Sequence, residues 1–512
     1  MNGAHALIHT LVAAGVDVCF ANPGTSEMHF VAAVDDVPKM RAILCLFEGV
    51  ATGAADGYAR MTDRPAATLL HLGPGMANGM ANLHNARRAN VPLLNIVGDH
   101  ATYHKQYDAP LDSDIDGAAK VFSGWIRRPA RAEDVARDAA EAVAAACGPP
   151  PMIATLILPA DVSWNSGASP ELPLSDRAAV ALDEDALTNA AKILVSGERC
   201  LLLLGGRALR TGALRDASRI AAATDAALLS ETFPTRVERG AGRPVIDRLQ
   251  YRVETARAQL TGLRHVILVE AKSPVSFFAY PDMRSDLLPD GCQVHVLTNV
   301  GQDSASALAH LAERTAAGHI PRVQSLSRPS LPTGPLSQVA AADVVGALLP
   351  EGAIVIDEAG TAGGRVPAAT TGAPPHDWLK ITGGSIGIGL PLAIGAAVAE
   401  PLRKVVCLEA DGSAMYTIQS LWTMARERLD ITVVIFNNRS YGILASELQR
   451  VGAAPGRQAL DMLDLSRPDI DFVSLAIGMG VNAERATTAQ EFTGALRRAL
   501  AEPGPRLIDA IL

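Results

Sequence analysis

The sequence is poor in cysteine, in charge and in long hydrophobic runs. Its six cysteines, Cys19, Cys45, Cys147, Cys200, Cys292 and Cys407, are scattered with no C-x-x-C spacing. That gives no zinc or disulfide framework and fits reduced thiols in a cytoplasmic protein. No uninterrupted apolar stretch reaches about 18 residues, so no membrane-spanning helix is expected. The first residues, MNGAHALIHTLVAAGV, lack a basic leader and a small-residue cleavage site, and read as a first helix rather than a signal peptide. Charged residues make up 19% of the chain, with a net charge of −9 and no long basic run. This balance argues against nucleic acid or an anionic membrane as partner. What is present is apolar, 48% of 512 residues, enough for about three domains with sizeable cores.

Helix and strand patterns alternate along the chain and divide it into three α/β regions, each expected to be a doubly wound domain. Residues 1–165 alternate helices with apolar strands at Val18 to Ala21, Ala42 to Phe47, Ala67 to His71 and Leu93 to Val97; Gly73-Pro74-Gly75 reads as a turn. The passage Trp164 to Pro173 is rich in Ser, Pro and Gly and reads as a linker. Residues 184–318 repeat the rhythm, with strands at Cys200 to Leu204, Ala227 to Leu229 and Val266 to Val269. A second linker, Arg322 to Pro335, leads to residues 337–512.

The most informative stretch runs from Lys404 to Gly442. Val405 to Glu409 is a strand, Ala410 to Ser413 a turn, Met415 to Leu429 carries apolar residues at helical spacing, and Ile431 to Phe436 is a second strand. Asp411 and Asn438 lie just past the two strand ends, where ligands bind in open parallel sheets. A carboxylate, an amide oxygen and a nearby main-chain carbonyl are hard donors that suit Mg2+, which completes its shell with water and phosphate oxygens. Gly412 lets the backbone approach a phosphate, and the N–H groups around Ser413 are free to meet it. The stretch therefore predicts a diphosphate held through a metal.

This pattern resembles the signature of thiamine diphosphate-dependent enzymes, Gly-Asp-Gly followed one helix later by Asn-Asn, with Ala410 replacing the first glycine. DGSAMYTIQSLWTMARERLDITVVIFNNRSYG is similar to the branch that holds benzoylformate decarboxylases and acetolactate synthase large subunits. The resemblance covers nearly the whole chain and implies a pyrimidine-binding domain, a middle domain and a diphosphate-binding domain. It implies Asp411, Asn438 and the carbonyl of Ser440 as metal ligands, with Gly412, Ser413 and Tyr441 beside the cofactor. LFEGVATGAADGYAR is similar to the cofactor-activating motif, so Glu48, a carboxylate expected to be largely buried, would hydrogen-bond the aminopyrimidine and promote loss of the thiazolium C2 proton. Gly383 to Gly389 resembles the loop under the bent cofactor, with the Gly384 carbonyl facing the 4′-amino group and Ile386 as apolar wedge. Glu358-Ala359-Gly360-Thr361 resembles the first diphosphate-contacting turn, with Gly360 and Thr361 as donors.

The same resemblance places His71 at the reacting carbon and Thr25, in ANPGTSE, where an active-site serine binds the substrate carboxylate. Four features depart from it. The second active-site histidine is missing, with Phe278 in its region. Pro110-Leu111 stands where acetolactate synthases carry Phe-Gln, and Glu447 where they carry the tryptophan that selects the second keto acid. Leu444 occupies the position of a glutamate in pyruvate decarboxylases. Glu447 is expected to be solvated, paired with a basic group, or protonated as a proton donor. His100 and His104 read as surface groups, and nothing in the middle domain points to FAD.

The implied activity is thiamine diphosphate- and Mg2+-dependent decarboxylation of a 2-oxo acid, with possible carboligation as in acetolactate synthase. The alternatives are a benzoylformate-type decarboxylase and a catalytically idle cofactor-binding paralogue, against which the retention of Glu48, Asp411 and Asn438 speaks. A nicotinamide or flavin oxidoreductase would need a G-x-G-x-x-G fingerprint with a following acid, which is not there. The resemblance also implies a homodimer or homotetramer with active sites at the subunit interface.

Overall fold

The structure, a computed structural model, describes residues 1–174 and 180–512. Three sheets carry the chain. The first has six parallel strands, in the spatial order 41–44, 18–22, 67–70, 93–99, 153–159, 125–127. The second has five parallel strands, in the order 247–248, 227–230, 200–204, 265–269, 293–298. The third has seven, in the order 482–486, 506–511, 431–437, 405–410, 354–358, 376–380, 236–239. Helices cover the sheets, as parallel strands joined by crossovers require.

The last strand of the third sheet comes from the middle region of the sequence. Arg236–Arg239 pairs antiparallel with His376–Lys380, and Arg236 Nε meets Asp377 Oδ1 at 2.5 Å. Its period is too short and too polar to read as a strand in isolation. Long-range pairing and the Arg–Asp contact hold it there.

The first and third domains share one hydrophobic core. Its seam is the packing of helix Glu48–Thr62 on helix Gly389–Ala399. A Cβ on Gly57 would stand 2.2 Å from the Leu392 carbonyl oxygen, and one on Gly395 1.9 Å from that of Ala54. The small residues of EGVATGAADGYAR are therefore a packing requirement: the two backbones touch. Arg60, fully buried in this seam, forms a bidentate pair with Asp56 at 2.8 and 2.7 Å and reaches the Lys380 carbonyl at 2.6 Å. A buried guanidinium needs such complete partnering.

Local readings shift in three places. The strand expected to run to Phe47 is Arg41–Leu44, and Glu48 opens the next helix. Gly73-Pro74-Gly75 is no turn but lies inside helix Leu72–Ala89. The helix expected over Met415 to Leu429 is broken: Asp411–Ala414 forms one helical turn and Ser420–Arg426 a second helix. The break follows from tertiary contact. Thr417 Oγ1 donates to the Gly387 carbonyl at 3.0 Å, and Gly387, at φ +92°, lies against Tyr416.

Candidate active site

Three strand ends of the third sheet converge as adjacent parallel neighbours. Strands Ile354–Glu358, Val405–Ala410 and Ile431–Asn437 lie side by side, and Gly360-Thr361, Asp411 and Asn438 follow them. Asp411 is 3% exposed. Its Oδ1 accepts from the Gly412 N–H at 2.8 Å and its Oδ2 from the Arg439 N–H at 2.6 Å. Burial raises its carboxyl above the ordinary value, and these backbone donors pull it back. The Asn438 amide oxygen accepts from the Ser440 N–H at 3.1 Å. A Cβ on Gly442 would lie 3.3 Å from Asn438 Nδ2 and 3.4 Å from Thr361 Oγ1, so Thr361 joins the same spot. Gly360, at φ +55°, approaches Ala410, and its added Cβ would still stand 3.9 Å from the Ala410 methyl. The alanine that replaces a glycine in the signature is thus accommodated.

The two asparagines separate in role. Asn437 is buried; its Nδ2 donates to Asp509 at 2.9 Å and its Oδ1 accepts from the Arg439 N–H at 3.2 Å, whereas the Asn438 amide oxygen engages Ser440. The donor chemistry here fits Mg2+ with a diphosphate: one carboxylate and one amide oxygen, hard oxygens with a single negative charge. Among the described residues no three of His, Cys, Asp and Glu cluster as a metal site. A Cβ on Gly412 would stand 2.4 Å from the Tyr441 ring, so backbone and ring meet directly, with Ser413 buried behind.

The loop Gly383 to Gly389 is held from both sides. From the first domain, Asn85 Nδ2 donates to the Ser385 carbonyl at 2.7 Å, the Gly383 N–H donates to Asn85 Oδ1 at 3.1 Å, and His84 Nε2 reaches the Gly383 carbonyl at 3.0 Å. From beneath, Glu358 accepts from the Gly387 N–H at 2.8 Å and the Gly389 N–H at 2.5 Å. Glu358 stands in register with Glu409 on the next strand. Both are buried; burial lifts Glu358 to about 7 and Glu409 well above the carboxylate range. Two like carboxylates out of water cannot both ionise, so they hold a proton between them. None of His84, Asn85, Glu358 or Glu409 stood out in the sequence as a support of this loop, since the contacts join segments far apart. The loop presents Gly384, at φ +77°, to the Phe277 ring, 2.6 Å from where a Cβ would be, with Ile386 half-buried beside it.

The first domain contributes a second group at the carboxyl edge of its own sheet. Glu48 is 8% exposed and its Oε2 accepts from Asn78 Nδ2 at 3.0 Å. A Cβ on Gly75 would lie 2.9 Å from Glu48 Oε1 and 3.4 Å from the His71 Cβ, so both residues border one glycine. His71 Nδ1 lies 2.8 Å from Glu27 Oε2. Thr25 is exposed at the start of the short turn that ends at Glu27. His100, read from sequence as a surface group, has its Nε2 buried with no partner among the described residues.

Glu447 is paired with a basic group. Its Oε2 accepts from the Tyr280 hydroxyl at 2.9 Å, and its Oε1 meets Arg450 at 3.2 Å. Arg450 stacks over the Tyr280 ring at 4.2 Å and reaches Glu254 at 3.4 Å. The cluster ties helix Gly442–Arg450, none of whose residues is buried, to the middle domain. Phe277 and Phe278, their ring centroids 4.7 Å apart, lie on that middle-domain side.

Comparisons with known proteins bear on the chain as a whole. Residues 1–119 match the family model of the thiamine pyrophosphate enzyme N-terminal TPP binding domain, and residues 359–510 that of the C-terminal TPP binding domain. The chain is 62% identical to the "Putative acetolactate synthase large subunit IlvX" of Mycobacterium tuberculosis H37Rv, over 100% of this chain and 99% of that protein. It is 31% identical to a benzoylformate decarboxylase of Pseudomonas aeruginosa PAO1, over 97% and 96%. Among solved structures, the thiamine diphosphate-dependent 4-hydroxybenzoylformate decarboxylase of Rhodococcus jostii RHA1 superposes with a TM-score of 0.87 at 27% identity, over 100% of this chain and 99% of that one. Two matched cofactor-binding domains, full-length relatives and a shared three-sheet architecture lead to one conclusion: the chain belongs to the thiamine pyrophosphate enzyme family, in its acetolactate synthase and benzoylformate decarboxylase group.

Proposed function

We propose that the protein decarboxylates a 2-oxo acid with thiamine diphosphate and Mg2+. The observation that carries this is the convergence of Asp411, Asn438 and Thr361 at three adjacent strand ends, above a glycine loop anchored from two domains. Asp411, Asn438 and the Ser440 carbonyl would hold the metal; Gly360, Thr361, Gly412, Ser413 and Tyr441 would surround the diphosphate; Gly384 and Ile386 would support the ring system. When bound, thiamine diphosphate supplies the nucleophilic carbon that adds to the keto group and the electron sink that lets CO2 leave. Glu48 holds and moves a proton at the aminopyrimidine nitrogen. Thr25 binds the substrate carboxylate. His71 holds a proton at the face where the product forms, which favours release of an aldehyde.

A second reading, ligation to another carbonyl to give a hydroxyketone, is favoured by the name of the 62%-identical relative. Glu48 and Asp411 lie on different domains, and exposed apolar residues rim both groups: Met28 on the first, Tyr416, Ile443 and Leu444 on the third. Such rims mark surfaces that become covered, and we take a dimer or tetramer with the site at the subunit interface, in the cytoplasm, as the working form. The deciding experiment is a panel of 2-oxo acids assayed for CO2 release with products identified. An aldehyde as sole product supports the first reading, a hydroxyketone the second, and no CO2 from any acid with both cofactors present refutes the assignment.

A further inference from the structure

Glu27 is more deeply buried than Glu48, and the reaction as described does not use it. It ends the short turn Thr25–Glu27 and is 1% exposed. Acids are rarely buried so fully without a purpose-built partner. Its Oε2 accepts from the Gly24 N–H at 2.7 Å and faces His71 Nδ1 at 2.8 Å. Its Oε1 is buried with no partner among the described residues.

The surroundings are shaped to permit this contact. A Cβ on Gly98 would lie 1.6 Å from Glu27 Oε1, and one on Gly24 2.2 Å from His71 Nδ1. Any side chain at either position would occupy the space of the carboxylate or of the imidazole. Leu72, directly after His71, is held at φ +50°, a conformation that a bulky residue adopts only when its surroundings enforce it. It turns the chain sharply between the strand that ends at Leu70 and the helix that begins at Leu72.

We propose that Glu27 is a positioning residue for His71: it holds the proton on Nδ1, aims the ring, and leaves Nε2 as the atom that exchanges a proton with the reacting centre, with Gly98 providing the clearance that Glu27 needs. This rests on the role given to His71 above. A carboxylate opposite one imidazole nitrogen fixes the tautomer and raises the basicity of the other nitrogen. The ring is 22% exposed at its side chain while the carboxylate is fully enclosed, so the free nitrogen has access to solvent and substrate. Capping the turn through the Gly24 N–H is a structural role that a glutamine would serve equally, whereas holding the imidazole proton against a negative charge needs the acid.

The test uses full-length protein carrying 15N-histidine, with the His71 signals assigned by comparison with His71→Gln. Long-range proton–nitrogen correlation spectra at alkaline pH report which ring nitrogen bears hydrogen. The parent is expected to show His71 protonated on Nδ1. Glu27→Met and Gly98→Ala, which remove or displace the acid, are both expected to shift His71 toward the Nε2–H form and to lower kcat by about 10–100-fold with little change in KM, the scale typical of outer-shell partners. Should Glu27→Met not fold, Gly98→Ala and Glu27→Gln keep the test open. An unchanged His71 tautomer in folded Gly98→Ala and Glu27→Gln overturns the inference. A shifted tautomer with unchanged turnover upholds the positioning by Glu27 and instead removes His71 from the reaction.

Discussion

The two halves of the candidate site are built on opposite principles. The third-domain half is mostly backbone: glycines at Gly360, Gly384 and Gly412, main-chain N–H groups on Asp411, and one ionised donor among neutral oxygens. The first-domain half is made of ionisable side chains held by one another or by an amide, Glu48 with Asn78 and His71 with Glu27. A surface of backbone dipoles and glycines can grip a phosphate and a metal but cannot relay protons. A surface of carboxylates and imidazole can relay protons but has no affinity for a diphosphate. On the proposed function, one half would bind the cofactor and the other would move protons.

The largest expected effect breaks the binding half. Protein stripped with a chelator should regain thermal stability only when thiamine diphosphate and Mg2+ are added together, by about 2.7 kcal/mol at a hundred-fold excess over Kd. Asp411→Ala should abolish that gain in a melting experiment, and stabilisation by NAD in its place would contradict the assignment.

Glu48→Gln should separate the halves. Cofactor-dependent stabilisation should persist while exchange of the cofactor C2 proton, followed by NMR, slows by about a hundred-fold or more. Unchanged exchange would return Glu48 to a role in packing.

A smaller effect concerns the protons that the binding half does hold. Glu358 is raised to about 7 from its ordinary 4.5 by burial. The folded protein therefore keeps a proton that the unfolded chain has released, and this stabilisation is complete below about 4.5 and lost as pH rises through about 7. Denaturant titrations of the parent should show that fall, and Glu358→Gln should lessen it, leaving the part that Glu409 contributes.

The smallest effect tests the bridge to the middle domain, which belongs to neither half. Glu447→Gln leaves a hydrogen bond to Tyr280 possible but removes the charge opposite Arg450, at an expected cost of about 1 kcal/mol. Faster amide exchange confined to helix Gly442–Arg450 would show that the cluster fastens it. If the 2-oxo acid profiles of Glu447→Gln and Glu447→Trp both match the parent, Glu447 has no part in substrate choice.

Much of this was legible without coordinates because it is local. Alternating strand and helix periods announced three α/β regions, and polar residues just past strand ends marked Asp411 and Asn438, since parallel sheets bring those ends together whatever the details of packing. LFEGVATGAADGYAR marked Glu48, though nothing in it named the helix Gly389–Ala399 on which its small residues pack.

What the tertiary structure decided was every relation between distant segments. It broke the helix expected over Met415 to Leu429, because the glycine loop at Gly387 occupies the space beside Tyr416 and Thr417. It sent Arg236–Arg239 to another domain's sheet, divided the roles of Asn437 and Asn438, and joined Glu27 to His71, Glu358 to Glu409 and Glu447 to Tyr280. Periodicity records how a segment meets solvent and core, and it is written in neighbouring residues. Partnership between buried charges depends on which segments the fold brings within 3 Å, and no single stretch of sequence contains that information.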